Sequence, residues 1–547
     1  MNGIFLLKNK IIFISIFLVA FILRFACINK VEGLWYDELV MYNQAVQTDF
    51  KSVISVALTE DVHLPLYQIL LHYWGKIFNF SDFALRSFSA FCGLITVVVS
   101  FFIGKKLKST EFGLITMSLF AINSMLIYYS QEVRMYELLA LFGTLNILAL
   151  INLRKNIWYV IWVISSSAMI LTYTISVIYI LIEIVAYIIY KGKDFDKKFL
   201  ISTIILLLIN FPVIWYLLHF SSKFTQFITG FYADWSSLFV VVQNFFTPKL
   251  VGLDNNPPHY MQEFLSGFKF SDFVFVFLPL LISAYFIINS VKRSKFALFL
   301  TALSFVFFLV EIFAFVFTDF KILSRYLIVI LPNLLIVIMF GIENNKKNLI
   351  LFLIFLLINI SYLIYSPNAS FRMSRSGFLP LVRMLEQNNI QNGDIVVVWN
   401  RKDILHKYLD KKVYILSILK DFAYKSEVIF ENTDRLNNTN EDGKKRILRE
   451  YFKSDFVPAN TVLLANYVIG NMQKGQKILI TSHEYFNSFN HKSFVDIIDN
   501  DNDYNNMTYN NLMTTKSLLD FRLICDKNLT YRGVKIYSPY VLYVYEK

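Results

Sequence analysis

The chain has 547 residues, 56% of them apolar, with 55 phenylalanines, a mean hydropathy of +0.51 and a formal net charge of +12. Soluble domains sit near about 45–50% apolar, so this composition excludes an ordinary soluble globular protein and implies a polytopic α-helical membrane protein. The positive charge does not point to nucleic acid: short basic stretches (Lys8 and Lys10; Lys105, Lys106 and Lys108; Arg154 and Lys155; Lys191, Lys193, Lys197 and Lys198; Lys292, Arg293 and Lys295; Lys346 and Lys347) fall between apolar runs and occupy every alternate loop, the positive-inside pattern.

The first apolar run, Ile11 to Ile28, is long enough to span a membrane. No small-x-small cleavage site follows it, so it reads as a retained span with the N-terminus inside. Cys27, Cys92 and Cys525 show no metal or redox spacing. Just beyond the run lies Gly33 to Tyr42, with the adjacent carboxylates Asp37 and Glu38 where a helix has surfaced on the outer side. A carboxylate there, shielded by Trp35, Tyr36 and Tyr42, is a candidate general base; the plainer alternative is a solvated acid pair in a loop. The segment Asn29 to about Arg86 is too long for a simple connection. Its apolar part, His63 to Phe80, is interrupted by Pro65, His72, Lys76 and Asn79 and reads as a helix lying in the interface.

Further spans are expected at Ser87 to Gly104, Phe112 to Tyr128, Leu138 to Leu153, Ile157 to Thr172, Ile175 to Tyr190, Phe199 to Phe220, Phe273 to Ser290, Phe296 to Phe317, Leu327 to Gly341 and Leu349 to Tyr365. That makes about eleven helices in a module covering residues 1–366, with outer loops at 29–86 and 221–272. Parity then places residues 367–547 outside. Their mixed polar sequence predicts a soluble α/β domain: a helix over Phe378 to Asn388, Gly393-Asp394, and strands at Ile395 to Trp399, Val413 to Leu416, Val462 to Leu464, Ile478 to Thr481 and Val541 to Tyr545.

The polar residues of interest all fall at the predicted outer boundary. Besides Asp37 and Glu38 these are Asp61 to Tyr67, Tyr128 to Tyr136, His259, and Arg325-Tyr326 opening a span that contains Pro332. Acids beside arginines at one end of a helix bundle suit transfer from a phosphate-bearing lipid, since arginine holds a leaving phosphate bidentately and a carboxylate activates an acceptor hydroxyl. Each has a plainer alternative: Arg134 and Arg325 as snorkelling anchors, His63 as an interfacial or capping histidine, His259 as a loop histidine. The sequence demands no cofactor; a divalent metal could draw ligands from Asp37, Glu38, Glu132, His63 and His259, without any tight ligand spacing. Glu183 and Glu311 fall near mid-span, and both read as structural acids away from this site.

Trp35-Tyr36-Asp37-Glu38 after the first span, His63-Leu64-Pro65-Leu66-Tyr67 ahead of Leu70-Leu71-His72-Tyr73-Trp74, Ala84-Leu85-Arg86, and Tyr129-Ser130-Gln131-Glu132-Val133-Arg134-Met135-Tyr136 follow one another in order. Together, with Arg325-Tyr326 and Pro332, they resemble the GT-C class of membrane glycosyltransferases, in particular bacterial relatives of the protein O-mannosyltransferases and of the lipid A aminoarabinose transferase. The chain has Leu64 and Gln68 where that family commonly has proline and tyrosine. The resemblance implies a cell-envelope enzyme of the cytoplasmic membrane that uses a polyprenyl-phosphate sugar donor at an outward-facing site. It implies Asp37 as base in an inverting displacement with Glu38 beside it, Arg134 and Arg325 on the donor phosphate, and His63, Tyr67, Glu132, Tyr136, Tyr326 and His259 around the substrate cavity. The acceptor is left open among lipid, glycan and protein. Two alternatives share the topology. A flippase or transporter of lipid-linked saccharides would more often show paired halves with broken helices, which this sequence lacks; a polysaccharide polymerase or ligase would use a similar donor.

Overall fold

The computed structural model describes residues 2–29, 33–60, 63–219, 236–251, 267–317, 323–342, 345–372, 379–398, 407–409, 412, 414–417, 468–483, 525–537 and 540–547. They belong to two compact units, Met1–Val31 with Trp35–Arg375, and Glu32–Leu34 with Ser376–Lys547.

The larger unit is helical. After α1 (Asn2–Phe25) come three short helices, α2 (Tyr36–Ala45), α3 (Phe50–Glu60) and α4 (Leu66–Phe78), and then the long α5 (Asp82–Leu107). The segment between the first two expected spans therefore holds three helices, where the sequence suggests one over His63 to Phe80. α5 starts where Ser81 Oγ accepts from the Ala84 N–H and Asp82 adds a negative charge to the first turn. The bundle continues with α6 (Thr110–Ile122), α7 (Ser124–Ser130), α8 (Tyr136–Leu150), α9 (Asn156–Thr172), α10 (Ser176–Lys191), α11 (Lys197–His219) and α12 (Ser236–Phe246). It closes with α13 (Leu278–Arg293, entered through a π-helical turn at Phe273–Phe277), α14 (Lys295–Phe317), a 3₁₀ stretch Ser324–Ile330 leading into α15 (Leu331–Gly341), and α16 (Lys346–Tyr365).

Six described helical segments are long and apolar enough to cross a membrane, or seven if the bent pair α6–α7 is one crossing. Large apolar side chains face outward along them, among them Leu208, Phe305, Phe313 and Leu357. In water such a surface would be an aggregation liability; against lipid it costs nothing. The chain is a polytopic helical membrane protein. Inside the bundle, where lipid and core are equally apolar, association depends on close fit and small residues. Gly104 of α5 lies against Thr116 and the Phe112 carbonyl of α6, so an added side chain there would meet backbone. Gly104→Leu is expected to lower stability by about 2 kcal/mol, visible as an earlier thermal transition in detergent; an unchanged transition would show that the two helices do not pack as described.

The expected single span Phe112 to Tyr128 is instead broken, with α6 and α7 bent by 60°. Two side chains account for the break. Asn123 caps α7, its Oδ1 accepting from the Leu126 N–H at 3.1 Å. From α1, the buried Arg24 donates to the Phe120 and Ala121 carbonyls, each at 3.1 Å, satisfying acceptors that the end of α6 leaves open.

The smaller unit has a helix, α17 (Leu379–Gln387), and a five-stranded sheet in the order β2-β1-β3-β5-β4. β1 (Ile395–Val398) runs parallel to β2 (Tyr414–Ser417) and β3 (Lys477–His483); β5 (Tyr540–Glu546) is antiparallel to β3 and to β4 (Thr530–Tyr537). Alternate residues Ile395 and Val397, Ile478 and Ile480, and Tyr543 and Tyr545 share one apolar core. Asp394 accounts for the Gly-Asp signal: its carboxylate accepts from the Gln391 and Lys477 N–H groups and pins the start of β1 to β3. β4 was not expected, while Trp399 and the expected strand at Val462 to Leu464 lie outside the described residues.

Candidate active site

The site is built on a carboxylate that does not face solvent. Glu38, in the first turn of α2, is 1% exposed and forms a two-pronged pair with Arg86 of α5: Nε to Oε1 at 2.9 Å and Nη2 to Oε2 at 2.6 Å. Its remaining capacity is taken by the Trp35 N–H at 3.2 Å, which starts α2, and by the Val133 N–H at 3.0 Å. Every strong acceptor direction of Glu38 is thus occupied, which fits a structural anchor better than the catalytic acid its sequence position suggests. Its chain neighbour is Asp37, and the neighbour of Val133 is Arg134. One buried ion pair therefore fixes both residues that face each other next.

Asp37 is the more open of the two acids, its side chain 26% exposed, and Arg134 Nη2 stands 3.8 Å from its Oδ2. The turn carrying Arg134 is held from three further directions. Ser89 Oγ donates to the Arg134 carbonyl at 3.3 Å, and Ser89 in turn is 3.0 Å from the Tyr67 hydroxyl. Gln131 Nε2 lies within 3.1 Å of the Leu23, Arg24 and Ala26 carbonyls at the end of α1. Beneath the turn, Arg24, Glu137 and Ser130 converge around Gly93, where a side chain would displace them. Tyr67 is fully buried behind Arg134, so it supports the turn and does not line an open cavity as expected.

The second arginine arrives from the 3₁₀ stretch. Arg325 follows Ser324, whose Oγ accepts from Asn244 of α12 at 2.9 Å, and it lies within electrostatic range of Asp37, Tyr129, Tyr136 and Tyr326. The helix restarts at Leu331-Pro332, where the missing proline N–H needs no partner. Both arginines lie over aromatic faces, Arg134 at 5.6 Å from the Tyr136 ring and Arg325 at 5.5 Å from the Tyr326 ring. Such contacts fix a guanidinium without neutralising it. His63 stacks on Tyr173 at 4.7 Å, and Tyr173 meets Tyr136 edge-on at 6.2 Å.

The structure thus brings Asp37, Arg134, Arg325, Tyr136, Tyr326 and His63 into one neighbourhood and sets Glu38 and Tyr67 behind it as supports. Glu132 is buried in the Arg134 turn. Asp61 and His259 lie outside the described residues. Among the described residues no three His, Cys, Asp or Glu side chains are grouped so as to hold a metal ion. Sequence reasoning gave no role to Arg24, Ser89, Arg86 or Tyr173. For Arg24 and Glu137 a signal existed: two opposite charges inside apolar segments, which seldom go unpaired. Glu183 is the structural acid expected, accepting from Trp162 Nε1 at 2.9 Å and Asn146 Nδ2 at 3.3 Å. Glu311 lies within electrostatic range of Tyr173, whose ring stacks on His63.

A separate open cavity of about 510 Å³ is lined by Lys249, Lys269, Asp272, Tyr362 and their neighbours, with Lys249 Nζ 2.5 Å from Asp272. It shares no lining residue with the Asp37 neighbourhood.

No protein-family model and no curated protein sequence matches the chain. Solved structures do. ArnT from Cupriavidus metallidurans in the apo state is similar with a TM-score of 0.58 at 11% identity, over 97% of this chain and 97% of that one. The same protein bound to undecaprenyl phosphate gives 0.54 at 11% identity, over 97% and 98%. Across almost its whole length, then, this chain has the fold of ArnT, as the resemblance carried by the motifs around Asp37 leads one to expect.

Proposed function

We propose that the protein is a membrane glycosyltransferase that moves a sugar from a polyprenyl-phosphate donor to an acceptor hydroxyl at the outer face of the cytoplasmic membrane. The observation that carries this is the opposition of a partly exposed Asp37 to Arg134, with Arg325 in range, on one end of an apolar bundle. Asp37 takes the proton of the acceptor hydroxyl. The acceptor oxygen bonds to the anomeric carbon from the face opposite the phosphate, the bond from that carbon to the phosphate oxygen breaks, and the lipid phosphate departs with the electron pair. Since the phosphate is already a competent leaving group, orientation and charge neutralisation supply most of what remains. Arg134 and Arg325 neutralise the growing negative charge, and no metal is required for that term. Glu38 acts by position, through Arg86 and Val133.

The fold favours this over a flippase: the similar ArnT structure binds undecaprenyl phosphate, and a carboxylate held against arginines at one end serves chemistry better than passage. The topology that goes with it has eleven crossings, the six long segments and the bent pair joined by α1, α8, α9 and α10, with the N-terminus inside and residues 367–547 outside. The donor-phosphate role is tested by binding of undecaprenyl phosphate against undecaprenol to purified protein. A clear preference for the phosphate, lost in the Arg134→Gln/Arg325→Gln double variant, is expected. Equal binding of the two lipids by the wild type would exclude the role.

A further inference from the structure

Glu311 stands apart from the other buried carboxylates among the described residues. Glu38 is held by Arg86, Glu137 faces Arg24 and Ser130, Glu183 is held by Trp162 and Asn146, Asp272 by Lys249, Asp394 by backbone N–H groups, and Glu132 has interactions of its own. Glu311 is 3% exposed and its Oε2 has no hydrogen-bond partner among the described residues; Glu137 and Glu183 also leave oxygens without hydrogen bonds, but each faces the charged or donor groups just named. It lies on α14 six residues before Phe317, about 9 Å along the helix axis from the end that leads toward Arg325. The Tyr173 hydroxyl, on a residue with no exposed surface, is likewise without a partner. Glu311 lies within electrostatic range of Tyr173, which is also in range of Arg325, Tyr326 and Tyr136 and stacks on His63.

A buried carboxylate and a buried phenol left without partners are costly, and such groups persist where a ligand completes them. A polyprenyl-phosphate sugar has three parts. The polyprenyl chain has no hydrogen-bond donors, and the phosphate is already matched by the two arginines. The sugar ring presents several donors, which a carboxylate accepts, and ring oxygens to which a phenol donates. We infer that Glu311 and Tyr173 form the subsite that recognises the polar substituents of the transferred sugar. This rests on the glycosyltransferase reading.

The test compares purified wild type with Glu311→Leu, Glu311→Gln and Tyr173→Phe, measuring affinity for undecaprenyl phosphate and for a panel of undecaprenyl-phosphate hexoses and pentoses. The wild type is expected to prefer one glycosylated lipid over the bare lipid. In Glu311→Leu and Tyr173→Phe that preference is expected to fall roughly tenfold or more, the scale of a lost hydrogen bond in a buried polar site. Glu311→Gln, which keeps an acceptor, is expected to lose less. Binding of bare undecaprenyl phosphate should be unchanged in all three, which also shows that they are folded. An unchanged preference in every variant overturns the subsite while leaving the glycosyltransferase reading standing, as does a parallel loss of bare-lipid binding. A wild type that binds neither bare nor glycosylated lipid overturns that reading, and the subsite with it.

Discussion

Asp37→Asn is expected to lower sugar transfer by about 10²- to 10⁴-fold, the range spanned by removal of a positioned proton acceptor. Asparagine keeps the shape of the side chain and a hydrogen-bonding oxygen, but cannot take a proton from the acceptor. The charge facing Arg134 is lost too, so affinity for undecaprenyl phosphate should be unchanged or slightly higher. That split, catalysis lost and lipid binding kept, distinguishes a base from a structural acid. A general collapse of the site would remove both. If Asp37→Asn transferred sugar at the wild-type rate, the proton acceptor would lie elsewhere.

The largest effect on stability is expected at the pair behind it. Arg86→Met leaves Glu38 buried with no cation, and breaking a buried pair by removing one member costs about 3–5 kcal/mol. The 1% exposure of both side chains places this pair at the severe end, because no water replaces the lost partner. The double variant Glu38→Leu/Arg86→Met removes both charges, and much of the stability is expected to return, since apolar replacement of a buried pair is often close to neutral. Activity is not expected to return with it: the Val133 N–H loses its acceptor, and Arg134 loses the support that sets its distance from Asp37. Thermal unfolding in detergent, read beside transfer activity, separates the two effects. An Arg86→Met protein as stable as wild type would remove the pair from its anchoring role.

Much of the candidate site was legible because its residues are charged in a helical module whose apolar runs carry few charges. Asp37, Arg134 and Arg325 each stand at the end of an apolar run, where a membrane protein carries polar groups at a cost. The division of labour between Asp37 and Glu38 was not legible. It depends on Arg86, 48 residues away, and on one backbone N–H 95 residues away, and no local periodicity reports either contact. The bend between α6 and α7 was masked by the mainly apolar sequence from Phe112 to Tyr128; Asn123-Ser124 was the cap signal within it. The relation of Glu311 to Tyr173 was hidden for a related reason. Residue counting gives depth in the bilayer but not the face of the helix, and it is the face that brings Glu311 within electrostatic range of Tyr173. In the smaller unit, β1, β3 and β5 were announced by short β-branched and aromatic runs, whereas β4, with Arg532, Gly533 and Lys535 inside it, carries no such pattern.

The most direct test of the central claim is sugar transfer itself: purified protein in lipid vesicles, given radiolabelled undecaprenyl-phosphate monosaccharides together with cell-envelope extract, with the Asp37→Asn protein alongside. The account predicts that wild type moves label from one donor into an extract component, releases undecaprenyl phosphate in equal amount, and that Asp37→Asn does neither. Donor carried across the vesicle membrane intact, with no label transferred by the wild type, would contradict it.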